Sequence, residues 1–332
     1  MIISWNTTNK CNLKCNHCYR DSGKESECEL TTKEAKLLID QIAATGFKIM
    51  IFSGGEPLMR EDIFDLINYA GLAGLRPVLG SNGTLISKKT AEELKKAGIA
   101  AVGISLDSLD AKKHNNFRGY NDAFRHTICA MKNCRESGIR FQIHTTVMDW
   151  NKSEIISITD FAVGVGASAH HIFFLVPTGR GKNIKDELLN SEEYEELLTS
   201  IMKKQQQVEI EIKPTCAPQF IRIAQSLNTD IRFKRGCLAG ISYCIINPRG
   251  DVQACAYLDE VAGNVREKSF DDIWKNSSLF NNLRSQQYSG SCGSCKYKKS
   301  CGGCRARAAY YNNGDYMASE NLCLYSKALS YD

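Results

Sequence analysis

The residues of this chain best suited to chemistry are cysteines, and their spacing says more than their number. Residues 10–19 read Lys-Cys-Asn-Leu-Lys-Cys-Asn-His-Cys-Tyr, so Cys11, Cys15 and Cys18 form a C-x3-C-x2-C set. Three thiolates can hold three irons of a [4Fe-4S] cubane, which leaves the fourth iron without a protein ligand. An open iron can bind a small chelating molecule; a cluster closed by four cysteines cannot. The competing reading is structural zinc, which takes four protein ligands. Only His17 stands near enough to be the fourth, and between Cys15 and Cys18 its ring is awkwardly placed to join them.

Eight further cysteines follow: Cys237, Cys244, Cys255, Cys292, Cys295, Cys301, Cys304 and Cys323. Cys28, Cys129, Cys134 and Cys216 are scattered, which makes an odd total of fifteen in 332 residues. With no secretory signal, such a count favours reduced thiols acting as ligands over disulfides. The C-x2-C pairs also suit a zinc ribbon, the alternative for this region.

A formal charge of +5 with no long basic run does not point to nucleic acid, and it does not oppose an anionic substrate. No apolar segment approaches the roughly 18–20 residues of a membrane helix, and the first residues lack a signal-peptide pattern. A cytoplasmic protein, with neither nucleic acid nor membrane as partner, is expected.

The elements that must position the cysteines alternate. Short β-branched runs at 2–8, 48–53, 76–81, 101–106, 141–147 and 171–176 read as buried parallel strands. Between them, Thr31 and Glu34 form a capping-box pattern ahead of Ala35, Leu38, Ile39 and Ile42 at helical spacing. Residues 62–73, 88–97, 122–137 and 153–163 read as further helices. Six strands alternating with helices predict an α/β fold with a parallel sheet and right-handed crossovers. Cys11 follows the first strand, so its loop lies at a strand C-terminus, where such folds place active sites. Residues 191–232 form a bridging segment: a charged helix at 192–207, a strand at 208–213, then Pro214-Thr215-Cys216-Ala217-Pro218. Residues 233–332 are rich in Cys, Gly and Asn and poorly composed for a hydrophobic core. Metal clusters can supply the missing cross-links.

The C-x3-C-x2-C set, with aromatic His17 before its last cysteine, resembles the signature of the radical SAM superfamily. Ser53-Gly54-Gly55-Glu56-Pro57, ending the second strand, resembles that family's motif for the amino group of S-adenosyl-L-methionine (SAM). Ser81-Asn82-Gly83 and Ser105-Leu106-Asp107 end the third and fourth strands, which in similar enzymes line the SAM and substrate cavity. Alone, each would be a turn or a helix cap. The resemblance implies a partial (β/α)6 TIM-type barrel over residues 1–190. It implies a [4Fe-4S] cluster on Cys11, Cys15 and Cys18, with SAM at Gly54, Gly55, Glu56, Pro57, Ser81, Asn82, Ser105 and Asp107. It also implies the reaction: one electron from the reduced cluster cleaves SAM to methionine and a 5′-deoxyadenosyl radical, which removes a hydrogen atom from substrate. A reducing partner such as a flavodoxin or ferredoxin follows.

The later cysteines, with Gly250 five positions before Cys255, resemble the SPASM extension of that family, which carries auxiliary iron–sulfur clusters. One gap departs from the pattern: two residues separate Cys301 from Cys304 where three are common. By analogy, Cys237, Cys244, Cys255 and Cys304 hold one auxiliary [4Fe-4S] cluster, and Cys292, Cys295, Cys301 and Cys323 hold another. The alternative leaves Cys244 outside the set, with one iron open or one cluster missing.

Two substrate classes compete. Trp5-Asn6-Thr7-Thr8, Tyr19-Arg20-Asp21, Pro177-Thr178-Gly179-Arg180, Thr215-Cys216-Ala217-Pro218 and Cys304-Arg305-Ala306-Arg307 resemble the NirJ-like branch. Those enzymes act on propionate or acetate side chains of siroheme-derived tetrapyrroles in haem d1 and alternative haem biosynthesis. The other class is peptide maturation, by thioether cross-linking or epimerisation. Cys11 stands too near residue 1 to leave space for a leader-gripping domain, which counts against it. Cys216 is a candidate catalytic hydrogen donor, a cluster or axial ligand, or a buried thiol. Cys28, Cys129 and Cys134 read as buried structural thiols. His144, His170 and His171 are candidates for substrate iron, and Arg180, Arg305 and Arg307 for substrate carboxylates, each against a plain structural role.

Overall fold

The computed structural model describes residues 1–24 and 26–325. The six expected strands lie side by side and parallel: β1 Ile2–Asn6, β2 Ile49–Ser53, β3 Arg76–Ser81, β4 Ala101–Ser105, β5 Phe141–Val147 and β6 Ala169–Phe174. Beyond them, β7 Glu211–Thr215 pairs in parallel with β6, and β8 Tyr243–Ile246 pairs in parallel with β1. Antiparallel β9 Asp251–Gln253 and β10 Val261–Asn264 complete the order β10-β9-β8-β1-β2-β3-β4-β5-β6-β7. Strands β1–β6 with their helices form the partial barrel, and the ten-stranded sheet to which they belong stays open with β7 and β10 as its edges. Edge position explains why β7 runs through Pro214, where the sequence reading stopped: a proline without an N–H is tolerated on an edge strand.

The helices are α1 Thr32–Ala44, α2 Ile63–Leu72, α3 Lys88–Lys96, α4 Ala111–Arg118, α5 Ala123–Glu136, α6 Ile155–Gly164, α7 Ser191–Gln205 and α8 Phe220–Ser226. Four short ones follow: α9 Phe270–Asn276, α10 Ser278–Ser285, α11 Gly290–Ser294 and α12 Arg305–Tyr311. The Thr31–Glu34 capping box is present and starts α1. Helix α4 was not expected, because Ala-Lys-Lys-His-Asn-Asn-Phe-Arg has almost no apolar stripe. Its ends define it instead. Asp110 accepts from the N–H groups of Lys112 and Lys113, and Gly119 closes it at φ 66°.

One core joins the faces of β1–β5 (Ile3, Trp5, Phe52, Leu79, Ile104, Phe141) to Leu38, Ile39 and Ile42 of α1 and Leu66 of α2. Phe270, Trp274, Phe280 and Leu283 belong to that same core. The tail is therefore not without a hydrophobic core, as its composition suggested. Its few large apolar residues bury against the barrel once β8 docks on β1: the Phe47 ring meets Phe270 at 5.4 Å and Trp274 at 5.0 Å. A second core gathers Leu198, Ile201 and Met202 of α7 with Phe220 and Ile223 of α8. Among the described residues no helix is long and apolar enough to cross a membrane.

Candidate functional site

The C-termini of β1–β6 converge on the loop that carries Cys11, Cys15 and Cys18. Backbone pairing seats it: Cys11 N–H donates to Gly23 O at 3.0 Å, and Gly23 N–H to Asn9 O at 3.0 Å. Donors meet the sulfurs. Leu13 N–H lies 3.5 Å from Cys11 Sγ, Ser22 N–H 3.4 Å from Cys18 Sγ, and Arg118 Nη1 3.9 Å from Cys15 Sγ. Burial pushes the Cys11 thiol up to about 11, and a bound cation would favour its thiolate.

Gly54 and Gly55 work through backbone. A Cβ on Gly55 would stand 2.1 Å from Lys10 O, and one on Gly54 2.5 Å from Thr8 O. Only glycine permits this approach, and it yields two hydrogen bonds, Gly55 N–H to Thr8 O at 2.9 Å and Glu56 N–H to Lys10 O at 2.8 Å. Pro57 then opens a short turn. The Glu56 side chain is fully buried; Ser81 Oγ donates to it at 2.9 Å and Asn82 N–H at 2.8 Å. Burial raises its carboxyl to about 7 against these donors. Asn82 Nδ2 donates to Asn12 Oδ1 at 2.9 Å, and Ser105 Oγ to Ser81 O at 3.4 Å. The strand-end residues thus form one network with the cysteine loop.

Asp107 and Arg118 add a buried ion pair. Arg118 Nε donates to Asp107 Oδ2 at 2.6 Å, and Thr146 N–H to Asp107 Oδ1 at 3.0 Å. Burial alone would raise the Asp107 carboxyl, but Arg118 beside it holds it below its ordinary value. Sequence reasoning missed Arg118 because it missed α4; the signal was the Asp110 cap and Gly119 bounding eight residues. His17 stacks on Phe117 of the same helix, with centroids 4.2 Å apart, and its Nδ1 has no partner among the described residues. Arg180 clamps the loop from the β6 side: its Nε donates to Cys15 O at 2.9 Å and its Nη1 to Ser22 O at 2.9 Å. It also pairs with Asp21 at 2.7 Å.

The later cysteines fall into two groups. Cys292, Cys295, Cys301 and Cys323 line one shallow recess that is partly open to solvent. Donors again face sulfur: Tyr297 N–H to Cys295 at 3.4 Å, Gly303 N–H to Cys301 at 3.5 Å, and Glu320 N–H to Cys292 at 3.4 Å. Cys237, Cys255 and Cys304 form the other group, and Cys216 lies beside Cys304. Cys244 does not join them; it is fully buried in the apolar core on β8. Arg305 and Arg307, both 1% exposed, are tied up internally. Arg305 donates to the carbonyls of Tyr316 and Ala318; Arg307 donates to that of Cys216 and pairs with Glu320 at 3.4 Å. Of the scattered thiols only Cys134 is buried; Cys28 and Cys129 are exposed.

A model of the radical SAM superfamily matches residues 5–162, and one of an iron–sulfur cluster-binding domain matches residues 237–304. The chain is 42% identical to an AdoMet-dependent heme synthase of Methanosarcina barkeri, over 98% of this chain and 96% of that protein. It belongs to the radical SAM superfamily. It is also 31% identical to a mycofactocin maturase of Mycobacterium tuberculosis, over 89% of this chain and 75% of that one. The crystal structure of SuiB from Streptococcus suis bound to S-adenosylmethionine shares the fold. The TM-score is 0.78 at 20% identity, covering 97% of this chain and 77% of that one.

This radical SAM protein is therefore an iron–sulfur enzyme that uses a [4Fe-4S] cluster and SAM, and its C-terminal region binds auxiliary clusters. The donor sets fit. Each set presents thiol sulfurs, the ligands that iron–sulfur clusters take, with backbone N–H donors aimed at them. Inside the barrel, His144 of β5 stacks on His171 of β6 with centroids 5.2 Å apart, and His171 Nε2 lies 3.6 Å from Glu211 of β7. His170 faces away and is enclosed by Thr145 and Thr159, each at 2.9 Å. It is a core residue.

Proposed function

We propose that this enzyme modifies a propionate or acetate side chain of a siroheme-derived tetrapyrrole on the route to haem. One observation carries the reading: 42% identity over 98% of the chain to an AdoMet-dependent heme synthase, against 31% over 89% for the mycofactocin maturase. When bound, the cluster and SAM supply one-electron cleavage of the sulfonium. The chain does the rest. Cys11, Cys15 and Cys18 are the cluster ligands. Glu56, with Ser81 and Asn82, presents a polar rim to the SAM amino group, and Gly54, Gly55 and Pro57 hold that rim against the cysteine loop. Ser105 and Asp107 extend it along β4, and His17 Nδ1 offers a further polar contact. His144 and His171 face the barrel interior, where a large substrate reaches them between β5 and β7. A low-potential donor of flavodoxin or ferredoxin type supplies the electron. Cys237, Cys255 and Cys304 belong to one auxiliary cluster, and Cys292, Cys295, Cys301 and Cys323 to the other.

The test offers reduced enzyme and SAM a panel of siroheme derivatives under anaerobic conditions. Formation of 5′-deoxyadenosine with loss of a side-chain fragment from the tetrapyrrole mass is the expected result. No change in any tetrapyrrole, with modification of a small peptide instead, would transfer the enzyme to the maturase class.

A further inference from the structure

We propose that Cys216, and not Cys244, is the fourth protein ligand of the auxiliary cluster held by Cys237, Cys255 and Cys304. This rests on the reading above that those three cysteines hold a cluster. The family resemblance implies Cys244, which lies between Cys237 and Cys255 in the chain. Strand geometry removes it. Successive side chains on a strand point to opposite faces. Tyr243, next to Cys244 on β8, lies on the face that looks toward Cys255 and Tyr19, and its hydroxyl donates to Ser4 Oγ at 3.0 Å. Cys244 therefore points the other way. It pairs in register with Ile3, is wholly buried, and shares the apolar core with Phe280 and Leu283. Arg284 is the charged group that acts on it.

Cys216 lies on the opposite side of this division. It touches Cys304 and stands near Cys255. It directly follows Thr215, the last residue of β7, and adopts φ 60°, a left-handed conformation that side chains other than glycine rarely take. Arg307 holds that turn by donating to Cys216 O at 3.0 Å. The same arginine sits in helix α12, whose N-cap is Cys304. One buried guanidinium thus fixes both the loop of Cys216 and the helix that begins at Cys304. Two segments 88 residues apart in sequence, by the numbering of Cys216 and Cys304, are brought to one place.

The assignment has two chemical consequences. The cluster is anchored to the C-terminal end of a strand in the barrel sheet, so it belongs to the rim of the site and not only to the tail. A ligating thiolate carries no S–H, so Cys216 is not a free hydrogen donor to substrate.

The test uses the full chain with Cys11, Cys15 and Cys18 replaced by alanine, which leaves only the auxiliary clusters. That parent should carry about eight irons, two cubanes. Adding Cys244→Ala should leave iron, Mössbauer and reduced EPR spectra unchanged. Adding Cys216→Ala should remove about four irons, or leave a cluster whose EPR signal shifts on adding cyanide, the mark of an iron without a protein ligand. Cys216→Ser gives the same readout in a fold-conserving form, as an oxygen-ligated cluster with an altered spectrum. Parental iron and spectra in both Cys216 variants, with no response to cyanide, overturn the proposal. So does loss of the cluster in Cys244→Ala. A parent holding about four irons, all lost on Cys292→Ala, overturns the underlying cluster reading, and the assignment with it.

Discussion

Arg118 reaches Cys15 across 103 positions of sequence and places its Nη1 3.9 Å from the sulfur. Its other arm grips Asp107 at 2.6 Å, so a positive charge is held beside the cluster loop by a buried carboxylate at the end of β4. Hydrogen bonds and charge near the sulfurs help set cluster potentials. Arg118→Met should shift the first cluster to lower potential by tens of millivolts while leaving its iron in place, as read by an EPR-monitored redox titration. It should also cost roughly 3–5 kcal/mol in stability, because Asp107 is left buried and unpaired. Asp107→Asn added to it should restore part of that stability in chemical denaturation without restoring the potential. An unchanged potential would mean that the arginine acts only on the fold.

Glu56 makes a prediction about pH. Burial raises its carboxyl from an ordinary 4.5 to about 7, so the folded chain binds the proton more tightly than the unfolded one. The resulting stability is present in full below pH 4.5 and is lost as pH rises through about 7. Without SAM, the loss across that window should be on the order of 3 kcal/mol. Glu56→Gln keeps an acceptor oxygen and removes the titration. Its stability difference from the parent should change with pH in that direction, and denaturant curves at several pH values measure it. Parallel profiles for the two proteins would contradict the burial argument.

Gly55→Ala tests the seating of the cysteine loop. Its Cβ would meet Lys10 O at 2.1 Å, and backbone cannot yield as a side-chain tip can. We expect lowered iron at the first site and SAM cleavage reduced by more than about tenfold. The auxiliary iron should be retained, which separates a local displacement from general misfolding.

Gly103→Ala probes the barrel interior. A Cβ there would stand 2.2 Å from the His144 imidazole and displace it from its stack on His171. If the substrate occupies this space, turnover of the tetrapyrrole should fall while SAM cleavage without substrate persists. Product mass and 5′-deoxyadenosine, measured on the same samples, check this. Equal loss of both would place Gly103 in the structural support of the SAM site instead.

Much of this protein follows from local rules. The alternating strands and helices are set by hydrophobic periodicity, and the Thr31–Glu34 box stands where its spacing put it. The C-x3-C-x2-C loop lands at the end of β1 because the strand before it ends there. These features depend on neighbours within a few residues, so a sequence can display them.

Features that depend on distant contacts were hidden. Pro214 marked the end of a strand in isolation, and only its place on the sheet edge let β7 continue. The tail looked coreless until β8 paired with β1 and its aromatic residues reached Phe47. Arg118 sat in a helix defined by its caps and not by an apolar stripe. The cysteines show the division most plainly. Their number and close pairs are written in the chain. Whether Cys216 or Cys244 stands with Cys237, Cys255 and Cys304 depends on which face of β8 a side chain leaves and where β7 ends. Those are properties of strand pairing across the whole molecule, and tertiary structure alone decides them.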